Sequence, residues 1–323
     1  MHRLNYEKKD LGPSFITAVA TMIVSSLVLG LIFGVNATGW KFWLMQALFT
    51  LLIGGSALLY AAVSKTKVFA ATKLNVIPKY AHVLWGCCAV TFLIACMTPI
   101  NNALLDGIEA LGLKRPSVEM EDNLAGLLIV ACILPAICEE LVFRGTVAQS
   151  LVNSKSKLAA LAISGALFAL FHGNPAQTIH QFVLGAFLTL LALRSGSLWT
   201  TVIVHLYNNV LVVALSYTAL GTDEWWSFST NTAAVVICLC VGAVGFAASV
   251  FGYLKTTKSV WVGRSGNRGA KAVSNTLEVS NDSEQLVADK EEANFKQNAM
   301  SSVTLIVAIV VCAVLWVSNL FAL

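Results

Sequence analysis

The sequence predicts an all-α fold, a polytopic membrane helical bundle of about eight to nine transmembrane helices. Three observations predict it. Hydrophobic residues fill 57% of the 323 positions and charged ones 12%, and the mean hydropathy is +0.75. A soluble chain of this length has no use for so much apolar surface. Apolar runs of the length that crosses a hydrocarbon layer, about 20 residues, recur from one end of the chain to the other. Between them, basic and acidic residues fall in alternate loops, the pattern of a chain that threads a membrane repeatedly.

In order, the runs place spans near 14–35, 42–63, 81–99, 122–143, 157–173, 179–194, 197–219, 231–254 and 302–323. The fifth and sixth are the shortest. Arg3, Lys8 and Lys9 precede the first span, Lys65, Lys67, Lys73 and Lys79 follow the second, Lys155 and Lys157 follow the fourth, and Arg194 follows the sixth. Lys255, Lys258, Arg264, Arg268 and Lys271 follow the eighth, whereas Asp106, Glu109, Asp223 and Glu224 lie in the opposite loops. Every even-numbered loop is the more basic one, which puts the N-terminus in the cytoplasm and the C-terminus outside. The segment 255–300 is polar, first basic and then acidic, without hydrophobic periodicity. It reads as a disordered or partly helical cytoplasmic loop, a solvated linker that follows the positive-inside rule, with attraction of its basic start to anionic headgroups as the alternative role. The chain divides into N-terminal helices at 1–120, a core at 121–220 and C-terminal helices with the polar loop at 221–323.

The net charge of +4 is small and sits in loops, so it speaks for topology and against a nucleic-acid partner. The first apolar run is long enough to span and lacks a small-residue cleavage site, so it reads as a helix and not a leader. The eight cysteines lie in apolar runs with no CxxC pair and read as small buried hydrophobes.

Three polar sites interrupt the apolar helices. The first is Cys138-Glu139-Glu140-Leu-Val-Phe-Arg144, whose glutamates are the only acidic residues between Asn123 and Thr222. Ionisable groups in a span are costly and face a protein interior or a wet cavity. Arg144 lies four residues after Glu140, so the two can pair on one helix face. Glu139 is turned about 100° away and has no basic partner within a turn, which leaves it free to act as a base. Read alone, the cluster is also ordinary charge at a helix end. The second site is Phe168-Ala-Leu-Phe-His172, a histidine closing an apolar helix before Gly173 and Pro175; a C-capping histidine has the same look. His180, in the next segment, reads as structural or interfacial. The third is His205-Leu-Tyr-Asn208-Asn209. His205 and Asn209 share a face and can address one substrate atom, while Asn208 points elsewhere. Interhelical hydrogen bonding is the alternative role.

In this order, on successive apolar segments, Glu-Glu-x-x-x-Arg, Phe-x-x-x-His and His-x-x-x-Asn resemble the CPBP family. These are the CAAX proteases and bacteriocin-processing enzymes, also called Abi proteins, which include type II CAAX prenyl endopeptidases. The resemblance runs from about Leu124 to Val213. It implies an intramembrane endopeptidase in which Glu139 and His172 activate a water while His205 and Asn209 bind the oxyanion. Glu140 and Arg144 support them. No serine or cysteine stands in a nucleophile motif, in keeping with water as the attacker. Glu139, His172 and His205 also have the ligand types of a catalytic zinc, although the His-Glu-x-x-His helix is absent. The expectation is that no cofactor is required, with zinc as the alternative. The family offers membrane-bound peptides or prenylated proteins as substrates, and a bacterial plasma membrane as the setting.

One geometric demand follows. Glu139 lies late in a helix running one way and His172 late in a helix running the other. They meet if the fourth span continues towards Gln149, with a cavity open to the cytoplasmic side, or if the fifth is tilted or re-entrant. Two other readings share these residues. A non-catalytic scaffold or self-immunity protein of the same fold would often have lost one of Glu139, His172 and His205. A proton or ion transporter would carry broken or charged helices in paired halves, and the sequence has no such repeat.

Overall fold

The computed structural model describes residues 2–113, 123–153, 156–218, 228–257 and 281–322. Among these residues there are nine long helices. They are α1 (Leu11–Phe33), α2 (Trp40–Val63), α3 (Tyr80–Ala110), α4 (Leu124–Ser150), α5 (Lys157–Phe171), α6 (Thr178–Ser195), α7 (Leu198–Ser216), α8 (Phe228–Thr256) and α9 (Asn281–Ala322). Extended pairing among the described residues amounts to an isolated bridge between Arg3 and Thr66. Eight of the helices are long and apolar enough to cross a membrane. The chain is an all-α, integral, multi-pass membrane protein, as its hydropathy predicts.

The fifth span departs from expectation. Helix α5 has only 15 residues and rises about 22 Å, short of the about 30 Å of a hydrocarbon layer. Its apolar run is stopped early by His172 and by Gly173, which takes the left-handed conformation with φ +59°. Helix α3 departs in the other direction. It runs 31 residues, straight through Pro99, and ends only beyond Asp106 and Glu109. Of the polar segment 255–300, residues 258–280 lie outside the described part. Residues from Asn281 are helical and continuous with the last span, so the partly helical form of that expectation holds there.

Helix α4 is the long one that the geometry required. It continues to Ser150 as a 27-residue helix, about 40 Å by its rise. Two stretches of it are wound as π-helix, Leu128–Ile133 and Phe143–Val147, and they flank the α-helical turn pair Leu134–Val142 that carries both glutamates. Pro135 explains the first, because it has no N–H to donate and its ring crowds the carbonyl one turn back. Widened π-turns of this kind are frequent at functional sites.

Two apolar clusters hold the bundle on either side of α4. One joins Phe15 and Ala18 of α1, Ile53 of α2, Phe143 of α4, Phe168 and Phe171 of α5, and Ala308 and Cys312 of α9. The other joins Leu93 of α3, Leu188 and Leu191 of α6, Val204 of α7 and Tyr253 of α8. Small residues let backbones touch where helices cross. A Cβ on Gly165 would lie 2.7 Å from the carbonyl oxygen of Phe182, and one on Gly185 would lie 3.0 Å from Cβ of Phe168.

Candidate active site

The glutamates lie on the middle part of α4. Glu140 and Arg144 are both fully buried, and Nη1 of Arg144 donates to Oε1 of Glu140 at 2.7 Å. The predicted pair therefore forms. Arg144 is held by more than Glu140. Its Nη2 donates to the carbonyl of Gly185 at 3.1 Å, and its guanidinium lies 4.3 Å from the ring centre of Phe168. A guanidinium so stacked and bonded has no rotational freedom left, so it serves as a fixed positive point beneath the site.

Oε1 of Glu140 has a second partner. Nδ1 of His205 lies 2.9 Å from it, a contact between residues 65 apart in the chain that helix periodicity gives no hint of. A carboxylate ionised beside Arg144 only accepts, so Nδ1 carries the hydrogen and Nε2 faces away. That Nε2 lies 4.0 Å from Oε2 of Glu139. His172 reaches the same oxygen from the end of α5, its Nε2 3.7 Å away. The Nδ1 of His172 donates to the carbonyl of Phe168 at 2.8 Å, because a carbonyl only accepts. Both imidazoles are thus locked by Nδ1 and present Nε2 to Glu139. Oε2 of Glu139 is itself buried without a hydrogen-bond partner.

Phe168 is the hub of this arrangement, and the sequence marks it only as the first letter of a motif. Its ring meets those of His172 at 4.5 Å and His205 at 6.1 Å, it carries Arg144, and its carbonyl sets the tautomer of His172. His180 lies near enough to His172 and His205 to interact electrostatically with both. Asn209, one turn after His205, is half-buried. Asn208 does not point away from it as periodicity implies, since its Nδ2 donates to Oδ1 of Asn209 at 3.0 Å.

Helix α9 adds two contacts that nothing in the motifs foretells. Nδ2 of Asn319 donates to the carbonyl of Gly173, and Nε1 of Trp316 donates to Oγ1 of Thr178, each at 2.7 Å. They hold the turn that follows His172.

Four of the six predicted residues, Glu139, Glu140, His172 and His205, converge, and Arg144 backs them. Residues 121–211 match the model of a family described as type II CAAX prenyl endopeptidase Rce1-like. This segment is similar to the CAAX protease family. The resemblance carried by the three motifs is borne out over it, and all six predicted site residues lie in the Rce1-like segment. Searches of curated proteins and of solved structures find no match.

The donor types at the site, one carboxylate and two imidazoles, are those of a catalytic zinc site, with Glu139 3.7 and 4.0 Å from the two imidazoles. Among the described residues no group of three or more His, Cys, Asp or Glu is arranged to hold a metal ion.

Proposed function

We propose that this protein is an intramembrane endopeptidase of CAAX type that hydrolyses a peptide bond with an activated water and without a metal. A membrane protease activity at the coarse level is what the Rce1-like family supports; the residue roles below are our reading. The observation that carries it is the approach of two imidazole Nε2 atoms to one unpartnered oxygen of Glu139, inside a membrane-spanning helix.

An ionised Glu139 and a neutral His172 with its proton on Nδ1 are both acceptors. Two acceptors 3.7 Å apart suit the two hydrogens of a single water. Glu139 takes a proton as the water oxygen attacks the scissile carbonyl, and His172 keeps the remaining O–H directed. General-base help of this kind is worth about 10²–10⁴ in rate. His205 has the complementary task. With Nδ1 committed to Glu140, it donates to an oxyanion through Nε2 only as an imidazolium. The two carboxylates against one guanidinium leave a place for that positive charge. Asn209 supplies the second donor, and each such donor is typically worth about 10²–10³. The proton held by Glu139 then passes to the leaving amine.

The substrate in this reading is a membrane-associated peptide, with a prenylated C-terminal peptide as the first to try, and the N-terminus is taken to be cytoplasmic. The test is cleavage of a quenched library of membrane peptides, some of them prenylated, by purified protein beside Glu139→Gln and His172→Ala. Each variant is expected to insert normally and to lose at least about 10² in turnover. Near-normal turnover in either refutes the assignment.

A further inference from the structure

Two cavities follow one another along one face of α1 and α2, and neither is lined by a residue of the glutamate–histidine cluster. The first, of about 420 Å³, lies where α1 begins and α2 ends, with α9 as its third wall; Arg3, Lys9, Asp10, Tyr60, Gln297 and Met300 line it. The second, of about 510 Å³, is an apolar groove between α1 and α2, with Ile16, Ala20, Val24, Leu52 and Leu59 in its lining. Pro13 of the first cavity and Ile16, Ala20 and Val24 of the groove recur at three- and four-residue spacing, so they share a helix face. On α2, Leu59 in the groove and Val63 in the first cavity are one turn apart. The groove reaches from Ile16 to Val28, about 18 Å by helix rise.

The chemistry along this face passes from cationic to apolar. Both Nη atoms of Arg3, the N–H of Glu7 and the hydroxyl of Tyr60 donate to the two oxygens of Asp10, which fills a carboxylate's acceptor sites. Arg3 uses only two of a guanidinium's five N–H groups in doing so, and Lys9, paired with Glu7 at 3.1 Å, has further ammonium hydrogens. The cavity therefore offers donors to an anion and no open carboxylate to an ammonium. In the groove, the hydroxyls of Thr17, Thr21 and Ser25 each donate to a carbonyl of their own helix, so they make no polar demand on a hydrocarbon chain. Val24, Leu52 and Leu59 are exposed on spans that cross the apolar layer.

We propose that the two cavities together form a site for one anionic phospholipid, its phosphate held by Arg3 and Lys9 and an acyl chain laid along the α1–α2 groove. A lipid is the occupant that needs both halves in this order, a cationic end at the headgroup level and an apolar channel running down into the membrane. The site does not depend on the peptidase reading.

The test offers lipids to the full chain, delipidated in detergent, and counts those retained by native mass spectrometry. The probes are phosphatidylglycerol, phosphatidylcholine with the same acyl chains, and soluble glycerol phosphate. One phosphatidylglycerol per chain is expected to be held in preference to phosphatidylcholine, and glycerol phosphate is expected not to displace it. Lys9→Ala should weaken that binding about fivefold, the loss of one cation at the headgroup level. Lys67, whose N–H donates to the carbonyl of Arg3, lines neither cavity, so Lys67→Ala removes the same charge nearby and should match wild type. Ala20→Phe fills the groove from an exposed position and should weaken binding at least about tenfold, as the loss of two buried methylenes does. Equal retention of the two lipids overturns the proposal on the wild-type protein alone. Equal effects of Lys9→Ala and Lys67→Ala, or wild-type binding by Ala20→Phe, overturn it as well. So does displacement by glycerol phosphate, which makes the site one for a soluble phosphate ester, or a dimer that Ala20→Phe dissociates, which makes a second copy the occupant of the groove.

Discussion

Breaking the Glu140–Arg144 pair tests the foundation of the site. Both side chains are fully buried, 2.7 Å apart, and each has a further partner. Arg144→Met leaves Glu140 a buried carboxylate without its guanidinium partner, and Glu140→Leu leaves a buried guanidinium whose hydrogen bond is to the carbonyl of Gly185 and whose face rests on Phe168. Stranding one partner of a buried pair costs about 3–5 kcal/mol, so independent effects would sum to about 6–10 kcal/mol in the double variant. The double variant removes both members of the pair together. What it loses is the bond to Gly185 and the partner of Nδ1 of His205, about 1–3 kcal/mol each, and a stacked cation worth up to about 2 kcal/mol. It is therefore expected nearer 3–6 kcal/mol below wild type, with a coupling of about 3 kcal/mol. The assay is reversible unfolding in mixed micelles by titration with a denaturing detergent, read by tryptophan fluorescence. Additivity within about 0.5 kcal/mol would show that the two charges do not depend on each other, and the argument for a pinned Glu140 would fail with it.

Gly54→Ala should cut turnover at least about 10-fold and cost about 1–3 kcal/mol, because the new Cβ would lie 2.7 Å from Sγ of Cys138, the neighbour of Glu139. Gly55→Ala faces open space and should match wild type; equal effects from the two would refute the steric account. Asn209→Ala should lower kcat by about 10²–10³ with little change in KM, and Asn209→Asp should be worse. Activity should also survive a chelator, whereas about one zinc per chain, lost and regained with activity, would replace the metal-free mechanism. Asn319→Ala and Trp316→Phe should each lower kcat several-fold while the protein still inserts, and full activity in both would show that His172 needs no support from α9.

What could be read from the sequence is what is local or periodic. Hydropathy marks the spans because each must be apolar over its whole length, and the Glu140–Arg144 pair follows from four-residue spacing alone. The extension of α4 was legible for a different reason: Glu139 and His172 could meet only by some such adjustment. The early end of α5 was less so, because a 15-residue apolar helix and a full span differ by one turn and a half. The bond from His205 to Glu140 was not legible. It crosses from α7 to α4, between residues 65 apart in the chain, and depends on how the helices pack. Asn208 escaped for the opposite reason. Adjacent helix positions diverge by about 100°, yet two flexible amides can still bend towards each other. Trp316 and Asn319 stand in a helix with no motif at all, outside the family match.

The clamp they form has a consequence in time. A chain is made from its N-terminus, and Trp316 follows Thr178 by 138 residues. At about 5–20 residues per second, the donors for the turn after His172 are synthesised roughly 7 to 30 s after the turn itself. During that interval the ribosome-bound chain holds Glu139, His172 and His205 in the membrane without the helix that steadies them. Helix α9 is thus made after all three motif segments, and a nascent chain that still lacks it holds their residues without the clamp on the turn after His172.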